Sequence, residues 1–195
     1  VSEVRLHDDT RLQANRYIIA LSYQNLLQLL PDRLLTRYAY FAQITEVKSL
    51  NEVVVQLICP TTQQRPRLLL LSGRPFHQLT STSLGPGKIA YRLSAVGSPL
   101  SELTDDQLMD AAQTEMGELL SGTVREDVIV RSVLREHHAA LLLTPGAARL
   151  RPLQQSPIQN LFLVGAWTDT GWPANLEGAL VSARRCADII VGSGA

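Results

Sequence analysis

Apolar positions along this chain recur with two different spacings, and the changes between them mark out its elements. "VSEVRL" (1–6) and "RYIIAL" (16–21) are short and strand-like, parted by the turn cluster "HDDT". "SYQNLLQLL" (22–30) takes helical spacing, with Ser22 placed to cap it and Pro31 to stop it. "NEVVVQLIC" (51–59) alternates in part and is rich in β-branched residues. "RLLLLSG" (67–73) follows the loop "PTTQQRP", so residues 51–73 are predicted to form a hairpin, with "LLLL" (68–71) as a buried strand. "SLGPGK" (83–88) reads as a turn, because it lacks the spacing of a phosphate-binding loop. "KIAYRLSAV" (88–96) alternates cleanly. Thr104 then caps a helix reaching about residue 120, with Leu108, Met109, Ala112, Met116 and Leu119 on one face. "DVIVRSVLREHHAAL" (127–141) is strand-like, and "TPGAARLRPLQQSP" is a connector.

The last unit changes period within a few residues. "LFLVGA" (161–166) is a continuous apolar run of strand length, as for a strand covered on both faces. "WTDTGWPAN" is a loop that ends at Asn175, the expected N-cap of the helix "LEGALVSARRCADII". Leu176, Ala179, Leu180, Ala183, Ala187 and Ile190 form its predicted buried stripe, with Arg184 and Arg185 toward the far side. Hairpins mixed with separated helices, and no internal repeat, predict an α/β (α+β) chain with sheet dominating its middle.

Composition narrows the function classes. Lys and Arg number 18, as do Asp and Glu, so a formal net charge of zero argues against a nucleic-acid partner. No apolar run is long enough to span a bilayer. Cys59 and Cys186 lie far apart and read as inert buried thiols, with a disulfide as the alternative. A reducing compartment and the lack of a basic, apolar leader set the expected location as cytoplasmic. "TRYAYFAQI" (36–44) bunches three aromatics. Core burial is their expected use, and a patch for a lipid substrate or a peripheral membrane contact is the other reading. His137 and His138 are adjacent, which on a strand turns them to opposite faces, and no ligand partner stands at metal spacing, so no metal site is expected. No G-x-S-x-G elbow occurs. The carboxylates of "LTDDQLMDAAQTEMGE" favour the helix dipole at their helix start and otherwise lie on its wet face.

The terminal unit carries the most chemistry. A helix beginning near Asn175 turns its free N–H groups and positive dipole end into the loop, where anions or carbonyl oxygens bind. Gly165 lets the backbone pass close to a neighbour or ligand, and Gly178 in the first helical turn costs helix propensity unless something must approach closely. Two readings are open on these grounds: a ligand-binding helix start, or a plain strand–loop–helix in which Gly178 is a packing contact.

"GAWTDTGWPANLEGALVSARRCADII" (165–190) resembles the C-terminal FAD-binding signature of the flavin amine oxidase and phytoene/squalene desaturase superfamily. Within it, the run is most similar to the squalene-associated FAD-dependent desaturases, the hydroxysqualene dehydroxylase group. The segments "VSEVRLHDDTRLQANRYIIALSYQNLLQLLP" and "VLREHHAALLLTPGAARLRP" resemble flanking parts of the same family more loosely. The resemblance implies an FAD-domain segment at 1–35, a substrate-domain segment at 36–125 and the C-terminal FAD-domain segment at 126–195. It implies FAD as cofactor, an apolar isoprenoid as substrate and hydride transfer to the flavin, with no catalytic side chain specified.

Carried over residue by residue, the resemblance places Asn175, Leu176 and Glu177 against the pyrimidine side of the flavin, with the Leu176 N–H on its C2 carbonyl oxygen. Trp172 and Pro173 would line the ring and substrate. Trp167 and Thr168 would border the ribityl and pyrophosphate, and Gly165 would allow the close approach.

Two departures stand against this. Where the family has an acidic residue after that glycine, this chain has Ala166, a loss of about 1–3 kcal/mol of binding if a ligand group goes unsatisfied; Asp169 lies three residues on. The glycine-rich loop G-x-G-x-x-G that grips the ADP half of FAD does not occur in the 195 residues. That loop is expected from an N-terminal half or a partner chain, and "VSEVRL", a strand already under way at Val1, fits a later part of a longer protein. Two rivals follow: a non-catalytic flavoprotein-like subunit or scaffold that binds no FAD by itself, and an amine oxidase, for which only Trp172 and Trp167 offer aromatic surface.

Overall fold

The computed structural model describes residues 1–60, 67–120, 128 and 130–192. Most of the loop predicted at 60–66, and positions 127 and 129 of the strand predicted at 127–141, lie outside the described residues. The chain divides into two compact units, Val1–Lys48 with Leu141–Ala195, and Ser49–Ala140. The segments expected from sequence put these crossings at 35/36 and 125/126. Residues 36–48 belong with the first unit because Phe41, Ile44 and Val47 bury into its core. Most of the strand that follows residue 130 belongs with the second, where it joins the sheet.

The first unit opens with a small antiparallel pair, β1 (Val4–Arg5) and β2 (Arg11–Leu12), across the "HDDT" turn. β3 (Tyr17–Ile19) runs parallel to β9 (Leu161–Leu163), with Ile18 opposite Phe162. The other edge of β9 is met by the connector, where Leu163 N–H donates to Gln154 C=O and Ser156 N–H to Leu161 C=O. All three β9 residues are buried, as the continuous apolar run predicts. α1 (Tyr23–Leu29) is capped by the Ser22 hydroxyl, which accepts from Asn25 N–H. Pro31 ends α1 and also starts α2 (Asp32–Arg37), a helix the sequence reading did not foresee. α3 (Ala39–Ala42) holds Phe41 fully buried, edge-on to Tyr38 and Tyr40, so the aromatic cluster serves the core. The Tyr40 hydroxyl donates to Leu153 C=O and ties this helix to the connector before β9.

The second unit is one five-stranded sheet, in the order β5 (Leu68–Leu70), β6 (Gln78–Ser83), β7 (Lys88–Val96), β4 (Ser49–Pro60), β8 (Val130–Leu141). The predicted 51–73 hairpin is corrected here. β4 pairs with β7 over nine positions from Glu52–Val96 to Pro60–Lys88, and β5 pairs with β6 instead. The "LLLL" strand is likewise an edge, not a buried strand, with Leu68 and Leu70 53% and 77% exposed. An edge strand has one covered face and one open side, so its apolar run is not evidence of burial. α4 (Asp105–Leu119) begins at Thr104 with a full capping box to Gln107 and lays Leu108, Ala112 and Met116 on Val53, Val55, Leu57, Tyr91 and Leu93. Buried Glu115 on the same helix is paired with Arg74 at 2.8 Å, which removes the penalty of an unpaired interior carboxylate. No helix among the described residues is long and apolar enough to cross a membrane.

Candidate functional site

β9 delivers the chain to Gly165, and the loop from Ala166 to Ala174 hands it to α5 (Leu176–Gly192). The glycine is required by space. A Cβ on Gly165 would lie 2.6 Å from Trp167 Nε1 and 2.8 Å from its Cδ1. The same indole is buried, donates to Leu21 C=O at 2.9 Å and packs on Tyr23. Thr168 is fully buried, with its hydroxyl within hydrogen-bond reach of Gly165 C=O, Gln154 Nε2 and Ser182 Oγ. The side chains of Trp167 and Thr168 therefore hold the loop to the unit, and it is backbone that they leave toward the loop surface.

Three polar residues outside the expected set organise this loop. Arg151, from the connector, is 9% exposed and faces no carboxylate at ion-pair distance among the described contacts. It donates from Nη1 to Trp172 C=O at 2.8 Å and from Nη2 to Ala166 C=O at 2.9 Å, bracing both ends of the loop. Burial pulls its guanidinium below the ordinary arginine value, and the negative charge of Asp169 acts the other way. Gln154, 2% exposed, donates to Thr168 Oγ1 and Asp169 C=O. Ser182 on α5 accepts from Gly165 N–H at 3.1 Å. Sequence offered two faint signals for these: "RPLQQSP" is polar where it meets a fully apolar strand, and Ser182 interrupts an apolar helix row.

The start of α5 is as the sequence predicts. Asn175 Oδ1 accepts from Gly178 N–H at 3.0 Å, and its C=O accepts from Ala179 N–H. A Cβ on Gly178 would sit 2.3 Å from Pro173 C=O, so the close approach that this glycine permits is to the chain's own loop. Leu176 and Glu177 occupy the first two helical positions, whose N–H groups have no partner inside a helix. Among the described residues no acceptor meets either of them, and both residues are exposed. Trp172, in the loop four residues before Leu176, is 49% exposed, with Pro173 also at the surface. Two unpartnered N–H groups at a positive helix end, reached through a loop with an exposed indole, suit a flat ligand with a carbonyl or anionic edge.

Ala166 contributes only backbone, and its C=O is already taken by Arg151. The Asp169 carboxylate closes a local turn by accepting from Gly171 N–H. His138 lies near Ser49, Nδ1 to Oγ 2.6 Å, in the other unit, and His137 is exposed. Among the described residues no three His, Cys, Asp or Glu side chains gather as a metal-ligand set.

The predicted buried stripe of α5 needs correction. The buried row is Gly178, Ser182 and Cys186, whereas Leu176, Leu180, Ala183 and Ala187 are exposed and Ala179 and Ile190 half-buried. Apolar residues occupy too much of this helix for pattern alone to say which of them are covered.

A parallel strand passing through a braced loop to an open helix N-terminus makes an α/β unit whose strand ends, on its carboxyl side, where open α/β sheets generally bind ligands. The chain belongs to the flavin containing amine oxidoreductases, whose family model matches residues 2–191. That membership bears out the resemblance read from the terminal run, the α/β fold class and flavin as the cofactor of the family. Hydroxysqualene dehydroxylase of Rhodopseudomonas palustris is 33% identical over 95 residues, 46% of this chain and 23% of that protein. The chloroplastic/chromoplastic 15-cis-phytoene desaturase of Solanum lycopersicum is 31% identical over 93 residues, 45% of this chain and 16% of that one. Reduced UDP-galactopyranose mutase shares the fold with a TM-score of 0.71 at 12% identity, over 98% of this chain and 44% of its own. The chain thus spans less than half of that structure, and its alignments cover under a quarter of the curated relatives.

Proposed function

We propose that this chain is the C-terminal portion of an FAD-dependent oxidoreductase acting by hydride transfer on an apolar isoprenoid of the squalene or phytoene type. The observation that carries the reading is the start of α5: capped by Asn175, locked against Pro173 at Gly178, with two unpartnered N–H groups at Leu176 and Glu177 and an exposed Trp172 in the loop that leads into it. The names of the relatives, a hydroxysqualene dehydroxylase and a phytoene desaturase, support the substrate class.

The residues fit the pyrimidine edge of a flavin. Leu176 and Glu177 N–H groups would hold its carbonyl oxygen, with the helix dipole favouring negative charge there. Bound FAD supplies the hydride acceptor. What the chain itself contributes is position and exclusion of water. Trp172 and Pro173 would flank the ring, Gly165 and Ala166 would pass the backbone close to it, and Arg151 would fix the loop from behind. The glycine-rich nucleotide loop would come from an N-terminal half. A cytoplasmic protein with peripheral contact to the membrane that dissolves such a substrate fits this proposal.

A second reading, a flavoprotein-like scaffold without cofactor, is favoured by Ala166 and by the turn that occupies the Asp169 carboxylate. An amine oxidase finds little aromatic surface here, since Trp167 is buried and leaves only Trp172. The visible absorption spectrum of the protein purified from its native source separates the first two. Flavin bands support the oxidoreductase. A colourless protein that stays colourless with added FAD leaves the scaffold.

A further inference from the structure

A cavity of about 360 Å³ opens in the first unit, where residues 46–48 meet residues 141–151. Its walls follow from the chain. Leu142 N–H donates to Lys48 C=O at 2.9 Å, which lays the two segments side by side. Gly146, with φ of 88°, then turns the chain into the short helix Ala147–Leu150, and Arg151 follows at its end. Depth sorts the lining by chemistry. Val47 and Arg151 are 9% exposed, Leu141, Leu142 and Leu150 are half-buried, and Glu46, Lys48 and Thr144 are exposed. The volume is that of a pocket for a small molecule. None of residues 165–177 lines it.

Arg151 gives the inner part of this cavity its charge. Its Nη1 and Nη2 are spent on Trp172 C=O and Ala166 C=O, which leaves Nε–H, buried and without an acceptor among the described residues. No carboxylate among them lies at ion-pair distance from the guanidinium. Burial works against its positive charge. A buried cation without a counter-charge and a buried donor without an acceptor each cost free energy, and one carboxylate relieves both. The rest of the lining sets the kind of anion. Two cations, Arg151 and Lys48, face one carboxylate, Glu46, which leaves a formal charge of plus one. That balance suits a monoanion, whereas a phosphate monoester brings nearly two negative charges to a single spare donor. Val47 and the leucines give the remaining wall an apolar character.

We infer that this cavity binds a monocarboxylate with a short apolar tail, its carboxylate against Arg151 and its tail along Val47, Leu141, Leu142 and Leu150. Leu143, 62% exposed, continues the apolar wall to the mouth, where Lys48 draws the anion in. A charge-assisted hydrogen bond from Nε completes the donors of Arg151. The same guanidinium braces both ends of the loop before α5, so an occupant also holds that brace in place. The inference stands on the cavity and its lining, and not on the proposed oxidoreductase.

The test is isothermal titration calorimetry on the protein as its own cells make it, with octanoate as the probe and octanamide as its neutral counterpart. Octanoate is expected to bind at one site per chain, and octanamide more weakly by about tenfold. Affinity is expected to rise roughly two- to fourfold for each CH₂ from butanoate to octanoate. Ala147→Trp fills the cavity and is expected to abolish binding while the protein stays folded. Lys48→Gln is expected to weaken octanoate about threefold and to leave octanamide unchanged. Arg151→Met is expected to erase the preference for octanoate over octanamide, and the other two variants keep the test decisive if this one does not fold. Equal affinity for octanoate and octanamide overturns the inference and leaves an apolar cleft. Equal affinity for butanoate and octanoate overturns it too, as attraction to surface charge alone. Full octanoate binding by Ala147→Trp places the ligand elsewhere and has the same consequence. These results are expected with or without flavin bands in the visible spectrum, so a colourless protein that binds octanoate defeats the oxidoreductase reading and leaves this site standing.

Discussion

Gly165→Ala should cost the first unit about 3–5 kcal/mol, and the reason can be followed atom by atom. The added methyl would meet the Trp167 indole at 2.6 and 2.8 Å, well inside contact distance. The ring has nowhere to retreat, being buried against Tyr23 and held to Leu21 C=O. Losing that hydrogen bond costs about 1 kcal/mol. Displacing a packed core ring costs about 1–3 kcal/mol. The backbone angle φ of 157° adds about 1–3 kcal/mol for any side chain. Partial relaxation places the expected total toward the lower part of that range, a large share of the 5–15 kcal/mol that holds a domain folded.

Urea denaturation followed by tryptophan emission measures it, in a Trp172→Phe background so that buried Trp167 is the sole reporter. Gly171→Ala is the control, since Gly171 has φ of 70° and open space around its ideal Cβ. It should lose about 1 kcal/mol from backbone strain alone. Equal losses in the two variants, or a loss under 1 kcal/mol at Gly165 with unchanged emission, would refute the argument that the indole forbids a side chain there.

Three further outcomes are expected. Arg151→Met leaves the carbonyls of Ala166 and Trp172 without their donor, and after allowing for the relieved desolvation should destabilise by about 2–4 kcal/mol; Arg151→Lys should recover only part, and full recovery by lysine in a denaturation series would contradict the two-ended brace. Leu176→Pro removes one N–H at a first helical position that tolerates proline, so thermal stability should stay within about 1 kcal/mol while FAD affinity, measured by flavin fluorescence titration, falls about tenfold; unchanged affinity would remove that N–H from the site. Burial raises the Tyr40 phenol above its ordinary value near 10. The folded state therefore keeps its proton where the unfolded chain has lost it, and the contribution present below pH 10 declines as pH rises beyond it. Between pH 9 and 11 the native protein should lose about 1 kcal/mol more stability than Tyr40→Phe, and parallel urea curves for the two would count against this.

What the sequence determined by itself was whatever is settled within a turn or two of chain. The caps at Ser22, Thr104 and Asn175 are where the pattern places them, because a hydroxyl or amide oxygen reaches an N–H three residues on whatever the rest of the fold does. The clean alternation of 88–96 and the apolar run at 161–163 became strands for the same local reason. The run from Gly165 to Ile190 was legible as a flavoprotein terminus because its glycines, its cap and its helix lie consecutively. Tertiary structure decided everything that needs a partner distant in sequence. β4 chose β7 over the nearer "LLLL" strand because pairing is selected by the whole register of a strand, not by its separation from the next one. Arg151 and Gln154 became the frame of the loop because folding brings their donors to a hydroxyl and carbonyls fourteen to twenty-one residues away. α5 buried Gly178, Ser182 and Cys186 and left its leucines outside. Hydrophobic burial has no direction of its own; a sequence states how much apolar surface a helix carries, and only the neighbours that arrive decide which side of it is covered.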